Sequence, residues 1–310
     1  MALKTVIYVN TLPVHNKSGG IKTFLLELLN TLAESDNTLL HYCLICSNSN
    51  KALFDYLDEY DKFSKVIVPG NNRNIFHRIY FEQFRLNKYL QKKENTILLN
   101  ICNVAVLRCS VPQVTIIQAA LSIASLRKSV ASKYLSISLL HKLYYDSLVI
   151  PSINISKKTV AVSYFIKNFL GKNREKVEVI HEGVNIKNFT GVEDVGIELP
   201  EKFILMVNTL FPYKNIDKAI EAFSLLRKKN FEHKLVIVGK DPDGKQLDLL
   251  KSTAQQYGVK NEVLFLGMVP HPKIYRLYVK ASLFIFDGTK IELKTIPPLE
   301  KKEEKPGKVH

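Results

Sequence analysis

Phe203-Ile204-Leu205-Met206-Val207-Asn208-Thr209-Leu210-Phe211-Pro212-Tyr213-Lys214-Asn215 is the stretch from which the fold is read. Its opening apolar run suits a strand buried on both faces of a parallel sheet. The run breaks into a turn at Pro212, and a helix is expected to open at Asn215 or just after it. Asn215 suits an N-cap, and Asp217 adds negative charge to the first helical turn. Apolar residues then recur at Ile216, Ala219, Ile220, Phe223 and Leu226, the spacing of one helical face. A strand, a tight turn, a lysine and a helix N-terminus together welcome an anionic ligand. An ordinary strand-to-helix crossover with a surface lysine fits this stretch equally well.

The same rhythm extends in both directions. Upstream, a strand at 4–9 leads into a loop carrying Ser18-Gly19-Gly20, then a helix with Ile21, Phe24, Leu25, Leu28, Leu29 and Leu32 on one face. The paired glycines either let backbone N–H groups approach a ligand or simply allow a sharp turn. Strands and helices alternate through 39–46, 51–60, 65–69, 79–90, 96–99 and 114–117. The segment 134–150 reads as a core helix or as a surface that meets lipid or an apolar acceptor. Ser163 is placed to cap a helix running through Phe169, and a strand at 176–180 follows. Downstream, strands at 234–238, 263–266 and 283–286 alternate with helices at 246–257 and 271–280. The pattern predicts an α/β protein with doubly wound parallel sheets.

At 310 residues the chain is long enough for two cores. The expected division is a first domain at 1–190, a linker at 191–200, a second domain at 201–286 and a charged irregular tail at 287–310. With 46% hydrophobic and 24% charged residues, the composition is that of a soluble globular protein. No apolar run is long enough to span a bilayer, and the first residues read as a strand, so a cytoplasmic protein is expected. A net charge of +15 favours an acidic partner: nucleotide phosphates, anionic lipid headgroups or nucleic acid. The lysines are scattered, without an arginine-rich arm, so nucleic acid is the weakest of the three. Cys43 and Cys46 have C-x-x-C spacing but sit in an apolar strand-like run without a second ligand pair. Core packing is preferred to metal or redox use.

Short motifs in a fixed order carry a resemblance. They are Gly19-Gly20-Ile21, Val160-Ala161-Val162-Ser163, Gly183-Val184-Asn185 with Phe189, the opening stretch, Leu235-Val236-Ile237-Val238-Gly239, and Phe265-Leu266-Gly267-Met268-Val269-Pro270. Through them the chain resembles the retaining glycosyltransferases of family four, which have the GT-B fold. The resemblance covers nearly everything from Lys4 to Phe286. It implies two Rossmann-like domains facing each other across a cleft, an acceptor side in the first and a nucleotide-sugar site in the second. No metal or other cofactor is expected. The implied partners are a UDP- or GDP-sugar and a glycan or lipid-linked acceptor, in cell-envelope polysaccharide or glycolipid synthesis. The positive charge would suit a peripheral place on the anionic inner face of the membrane.

In such enzymes a nucleoside diphosphate leaves the anomeric carbon, and a fixed cation lowers the barrier. The resemblance gives that role to Lys214, with Thr209 beside it in the donor site. It gives Gly19 and Gly20 the close backbone approach to donor phosphate and acceptor. Relatives often carry His-Asp where this chain has Gln118-Ala119, so Gln118 is left to hydrogen-bond a sugar hydroxyl on the acceptor side. Two glutamates separated by seven residues are expected to contact the donor sugar and the ribose; Glu292 and Glu300 have that spacing. Ile296-Pro297-Pro298-Leu299-Glu300 fits the family pattern, whereas Leu293-Lys294-Thr295 stands in place of Gly-Phe-Gly. Many relatives have arginine at Thr209 and glycine at Asn208, so one phosphate cation is missing. The family pattern continues past Glu300 with further strand–helix units, so the second domain is expected to be incomplete, with an exposed parallel edge. Three functions compete: a working glycosyltransferase, a truncated and catalytically impaired one that binds a nucleotide or partner, and a nucleic-acid binder resting on charge alone.

Overall fold

A computed structural model describes residues 4–16, 18–69, 74–90, 95–118, 145–170, 175–185, 196, 198–241, 244–287 and 291–294. The chain divides into two compact units, 1–184 and 185–310.

The first unit runs β1 (Thr5–Asn10), α1 (Gly20–Glu34), β2 (Leu40–Ser47), β3 (Phe63–Val68), α2 (Ile75–Phe84), β4 (Thr96–Asn100), β5 (Gln113–Ile117), α3 (Ile150–Ile155), β6 (Lys158–Ala161), α4 (Tyr164–Phe169) and β7 (Val177–Val179). Its seven strands lie in the order β3-β2-β1-β4-β5-β6-β7. Every neighbouring pair is parallel. The order reverses at β1/β4, which makes the carboxyl ends of those strands a topological switch point. Alternate residues of β2 face opposite cores. Tyr42, Leu44 and Cys46 pack with Leu25 and Leu29 of α1. Cys43 and Ile45 pack with Leu86 and Leu98 on the other side. The two cysteines therefore point away from each other, free and buried. Burial pushes the Cys46 thiol up to about 11, so C-x-x-C spacing here is core packing.

The second unit runs β8 (Phe203–Val207), α5 (Ile216–Arg227), β9 (Lys234–Val238), α6 (Gln246–Gln256), β10 (Val263–Gly267), α7 (His271–Lys280), β11 (Leu283–Asp287) and β12 (Ile291–Lys294). Its sheet order is β10-β9-β8-β11-β12. The first four are parallel and β12 is antiparallel to β11. Ile204 and Met206 pack with Ile216, Ile220 and Phe223 of α5. Phe203 and Leu205 face Leu277 of α7 on the opposite side. Helices thus cover both faces of a strand that the sequence presents as uninterrupted apolar residues.

Several details differ from the sequence reading. Lys51–Glu59 is a 3-10 helix. The helix expected at 79–90 is α2, starting at Ile75 and ending at Phe84, with a separate 3-10 turn at Leu86–Tyr89. Within 134–150, Tyr145–Val149 forms a short π-helix leading into α3, and 134–144 lies outside the described residues. Leu226 is 40% exposed, because it falls at the margin of the α5 face that Ile216, Ala219, Ile220 and Phe223 bury. Asn215 precedes α5 as expected but makes no side-chain cap; its backbone is left-handed, φ 48° and ψ 36°. Asparagine is there as one of the few side chains that tolerate that conformation. Ser163, by contrast, accepts from the Ile166 N–H and caps α4 as read. In the stretch read as irregular, Ile291–Lys294 forms β12 and pairs along β11, so the edge expected to stand open carries a strand. The linker 191–200 and the tail beyond Lys294 fall mainly outside the described residues.

Candidate functional site

In the second unit the loops after β8, β9 and β10 are laced together by backbone hydrogen bonds. The Asn208 N–H donates to Val238 O at 2.9 Å, Leu210 N–H to Lys240 O at 2.9 Å, and Gly239 N–H to Gly267 O at 2.8 Å. The lacing leaves no room at Gly239, where a Cβ would stand 1.7 Å from the Asn208 carbonyl oxygen. Leu210 is buried and anchors the turn, and Pro212–Lys214 makes one 3-10 turn before α5 begins. Thr209 sits half-buried on this loop, its carbonyl accepting from the Phe211 N–H at 2.7 Å. Beneath it the Asn208 Nδ2, buried, finds no acceptor among the described residues. It is a donor that an arriving acceptor or an ordered water would satisfy.

Lys214 ends that turn, immediately before the N-terminus of α5. Its Nζ lies 5.2 Å from the centroid of the Phe286 ring, on β11. That distance is within cation–π range. β8 and β11 are the strands between which this sheet reverses order. The ammonium therefore stands at the carboxyl ends of the switch-point strands, where open α/β sheets bind ligands. Glu292 is placed by its backbone in β12, paired with Phe286. Lys214, by its ammonium, and Glu292, by its strand position, thus both neighbour Phe286. Glu300 lies outside the described residues.

In the first unit, the loop after β1 is held from below. The buried Asn50 amide donates to the Thr11 and Val14 carbonyls, each at 2.9 Å. Asn10 donates to Glu82 at 3.1 Å and accepts from the Leu12 N–H. Burial raises the Glu82 carboxyl above the usual carboxylate range, while Arg78, at 3.6 Å, and Asn10 pull it down. The loop ends at Gly19, and Gly20 opens α1 without any side-chain cap. Among the described residues, nothing outside its own chain neighbours and helix lies within 4 Å of where a Cβ would stand on either glycine. Nor does either have positive φ. The N–H groups of the first turn have no intrahelical acceptor, so this is an open, donor-rich corner that the turn itself does not require to be glycine.

Gln118 follows β5. Its N–H donates to the Asn103 side chain at 2.9 Å, and its Nε2 donates to Glu182 Oε1 at 3.1 Å. Asn103 is itself in the left-handed region, φ 59°, which turns its amide toward Gln118. Glu182 follows β7, beside His181, whose ring lies 5.6 Å from that of Tyr164. Sequence reading gave Glu182, which directly precedes the Gly183-Val184-Asn185 motif, no role; what signals it is contact across the sheet, which spacing along the chain does not show. Partial burial raises the Glu182 carboxyl above its ordinary range, and the Gln118 hydrogen bond opposes this. A carboxyl whose folded value is raised contributes stability at low pH that is lost as pH climbs through the folded value. Glu182→Gln keeps an acceptor for Gln118 but cannot ionise. The variant should therefore show a flatter fall of melting temperature between pH 4 and 7 than the parent; an unchanged slope would contradict this assignment.

Among the described residues no group of three or more His, Cys, Asp or Glu is placed to hold a metal ion.

Comparison with known proteins matches part of the chain to a family model. Residues 191–302 match the family described as glycosyl transferases group 1, a span that includes Lys214, Glu292 and Glu300. Alpha-monoglucosyldiacylglycerol synthase of Streptococcus pneumoniae is 29% identical over 154 residues, 46% of this chain and 34% of that protein. The O-antigen chain mannosyltransferase RfbU of Salmonella typhimurium is 28% identical over 169 residues, 53% of this chain and 44% of that one. The chain thus spans less than half the length of either relative. Among solved structures, Anabaena HepE in complex with UDP and glucose superposes with a TM-score of 0.61 at 13% identity, covering 92% of this chain and 75% of that one. Sucrose-phosphate synthase from Thermosynechococcus elongatus gives 0.64 at 14% identity, over 91% and 75%. These likenesses establish the fold: two Rossmann-like α/β domains of the GT-B class, the second smaller than the first.

Proposed function

We propose that the chain is a retaining, metal-independent glycosyltransferase that moves a sugar from a UDP- or GDP-sugar to a glycan or lipid-linked acceptor. The observation that carries this reading is Lys214, held over Phe286 at the switch point of the second sheet, inside the segment that matches the family. As the sugar–phosphate bond breaks, negative charge gathers on the leaving β-phosphate. The Lys214 ammonium and the N–H groups at the start of α5 neutralise it without a divalent cation. On the acceptor side, Gln118 and Glu182 offer a donor and an acceptor for sugar hydroxyls, and the open Gly19–Gly20 corner admits phosphate or acceptor to backbone N–H groups. Two relatives named for a diacylglycerol glycolipid and for O antigen support a lipid-linked or glycan acceptor in cell-envelope synthesis. Nucleic acid has no part in this reading.

The test is incubation of the purified chain with UDP- and GDP-sugars, with and without EDTA, following the anomeric proton by NMR. Transfer or slow hydrolysis with retention, undiminished by EDTA, is expected. Failure to consume any common nucleotide sugar would sink the reading, and an inverted product would sink its stereochemistry. A second reading, a nucleotide binder that does not transfer, is favoured by β12: residues 291–294 form a paired strand, and Leu293-Lys294-Thr295 stands where the pattern that the chain resembles has Gly-Phe-Gly. Nucleotide binding without turnover would establish it.

The glycines separate the two roles of this corner. Among the described residues nothing outside their own chain neighbours and helix lies within 4 Å of a Cβ added at Gly19 or Gly20. At Gly20, inside the helix, alanine is worth about 0.5–1 kcal/mol over glycine, whereas at Gly19, the N-cap, glycine is preferred to alanine. The melting temperature of Gly20→Ala should hold or rise slightly and that of Gly19→Ala should fall slightly, while turnover of each falls about tenfold or more. Loss of stability in Gly20→Ala, or unchanged turnover in both variants, would return these glycines to a purely structural role.

A further inference from the structure

The outward face of α2 is aromatic. Phe76, Tyr80 and Phe84 are 72%, 53% and 64% exposed. They stand four residues apart, on one stripe of the helix, and the Tyr80 and Phe84 rings lie 5.3 Å apart. The exposed arc of this helix carries Phe76, His77, Tyr80 and Phe84, with no lysine or acid among them. A solvent-facing helix surface ordinarily carries charge, and three adjacent exposed aromatics mark an interaction surface. The inner face is already committed: Phe81 packs into the core and Glu82 is buried against Arg78 and Asn10. The stripe is therefore not a core face turned the wrong way.

Its surroundings are basic. Arg85 and Lys88 are exposed at the C-terminal end of the stripe. Arg108 is exposed on the loop that Gln83 ties to α2, through the Leu107 N–H and the Ala105 carbonyl. Over 74–90 the only acid is Glu82, which is buried, so the charge presented outward there is positive. An aromatic centre with a cationic rim on a surface helix has the chemistry of the boundary between headgroups and acyl chains in an anionic bilayer. The net charge of +15 adds long-range attraction to such a surface. We propose that α2 docks the protein on anionic phospholipid, with Phe76, Tyr80 and Phe84 entering the acyl boundary and Arg85, Lys88 and Arg108 meeting headgroup phosphates. This goes beyond the transfer reading and does not depend on it.

The chain contains no tryptophan, so Tyr80→Trp supplies a single tryptophan, selectively excited at the red edge, on the stripe in the full-length protein. Adding vesicles of phosphatidylcholine with 30–50% phosphatidylglycerol should shift its emission to the blue and allow quenching by lipids brominated on the acyl chain. Pure phosphatidylcholine should do so far more weakly. The triple variant Phe76→Ser, Tyr80→Ser, Phe84→Ser should lose at least tenfold in vesicle co-sedimentation. Arg85→Glu with Lys88→Glu should lose at least tenfold on anionic vesicles only. All these side chains are exposed, and circular dichroism checks that each variant folds. An unshifted tryptophan spectrum, or co-sedimentation unchanged in the triple variant, would overturn the proposal. So would a concentration-dependent dimer in the parent, absent in the triple variant, since a second copy would then own the face.

Discussion

Replacing Lys214 by alanine is expected to lower the turnover of nucleotide sugar by about 10²–10³-fold, the usual cost of removing one preorganised group that meets charge developing in a transition state. The loss should fall on kcat more than on KM, because the diphosphate gains its extra charge only as the glycosidic bond breaks. Melting temperature should stay within about 2 °C of the parent, since the Lys214 side chain lies outside the buried core of the second unit and its ammonium meets the face of Phe286. An exposed cation–π contact is worth about 0.5–1 kcal/mol. Phe286→Leu then tests whether the ring holds the lysine ready: it should cost no more than about fivefold in kcat, equivalent to that contact. Lys214→Arg keeps the charge but presents it as a planar fork on a different stem, so rescue should be partial. If Lys214→Ala keeps kcat within threefold of the parent, the lysine is a surface residue and the site must be sought elsewhere.

Much of this scaffold was legible because parallel, doubly covered strands write themselves as unbroken apolar runs. Phe203–Val207 and Lys234–Val238 needed no further information, and both pair in parallel register. Ser163 could be read as a cap because its bond to Ile166 is only three residues away. Asn215 carried an equally good cap signal and does something else. An asparagine before a helix serves either as an oxygen cap or as a left-handed residue, and the preceding 3-10 turn at Pro212–Lys214 decides between them. β12 was hidden for a related reason: the charged residues around it look like solvated tail, and only the partner strand β11 supplies the ladder that makes a strand of them.

The candidate site divides along the same line. Lys214 stood out because strand, turn and helix start are contiguous. Glu182 did not, because it meets Gln118 across 64 residues of chain, through the parallel order β5-β6-β7. The polar supports of the glycine corner were equally silent. Asn50 reaches Thr11 and Val14, and Glu82 reaches Asn10, from elements that carry no motif of their own. Residues that touch ligand are often legible as motifs, whereas the residues that aim them are fixed by packing and are visible only in three dimensions.

Gly239 shows how far that distinction reaches, and it gives the largest expected effect on stability. Gly239→Ala should destabilise the second unit by about 3 kcal/mol or more, at or beyond the upper end of ordinary overpacking. The reason is what the new methyl would meet. Its Cβ would lie 1.7 Å from the Asn208 carbonyl oxygen, 2.6 Å from the carbonyl carbon and 3.3 Å from the Thr209 nitrogen, all backbone atoms. A side chain could swing aside; this carbonyl cannot, since the Asn208 and Leu210 N–H groups on either side are bonded to Val238 and Lys240. Relief requires the β8 and β9 loops to part, breaking the lacing that holds Thr209 and Lys214. The thermal transition should drop by on the order of 10 °C, and nucleotide affinity should fall with it. Gly267→Ala is the internal control: there φ is +66° with nothing within 4 Å of the added Cβ. Left-handed strain alone costs about 1–2 kcal/mol, so its transition should move clearly less. A Gly239→Ala protein that melts within 2 °C of the parent would mean that the loops do not approach as closely as this geometry requires. The support that the structure gives to Lys214 would fall with it.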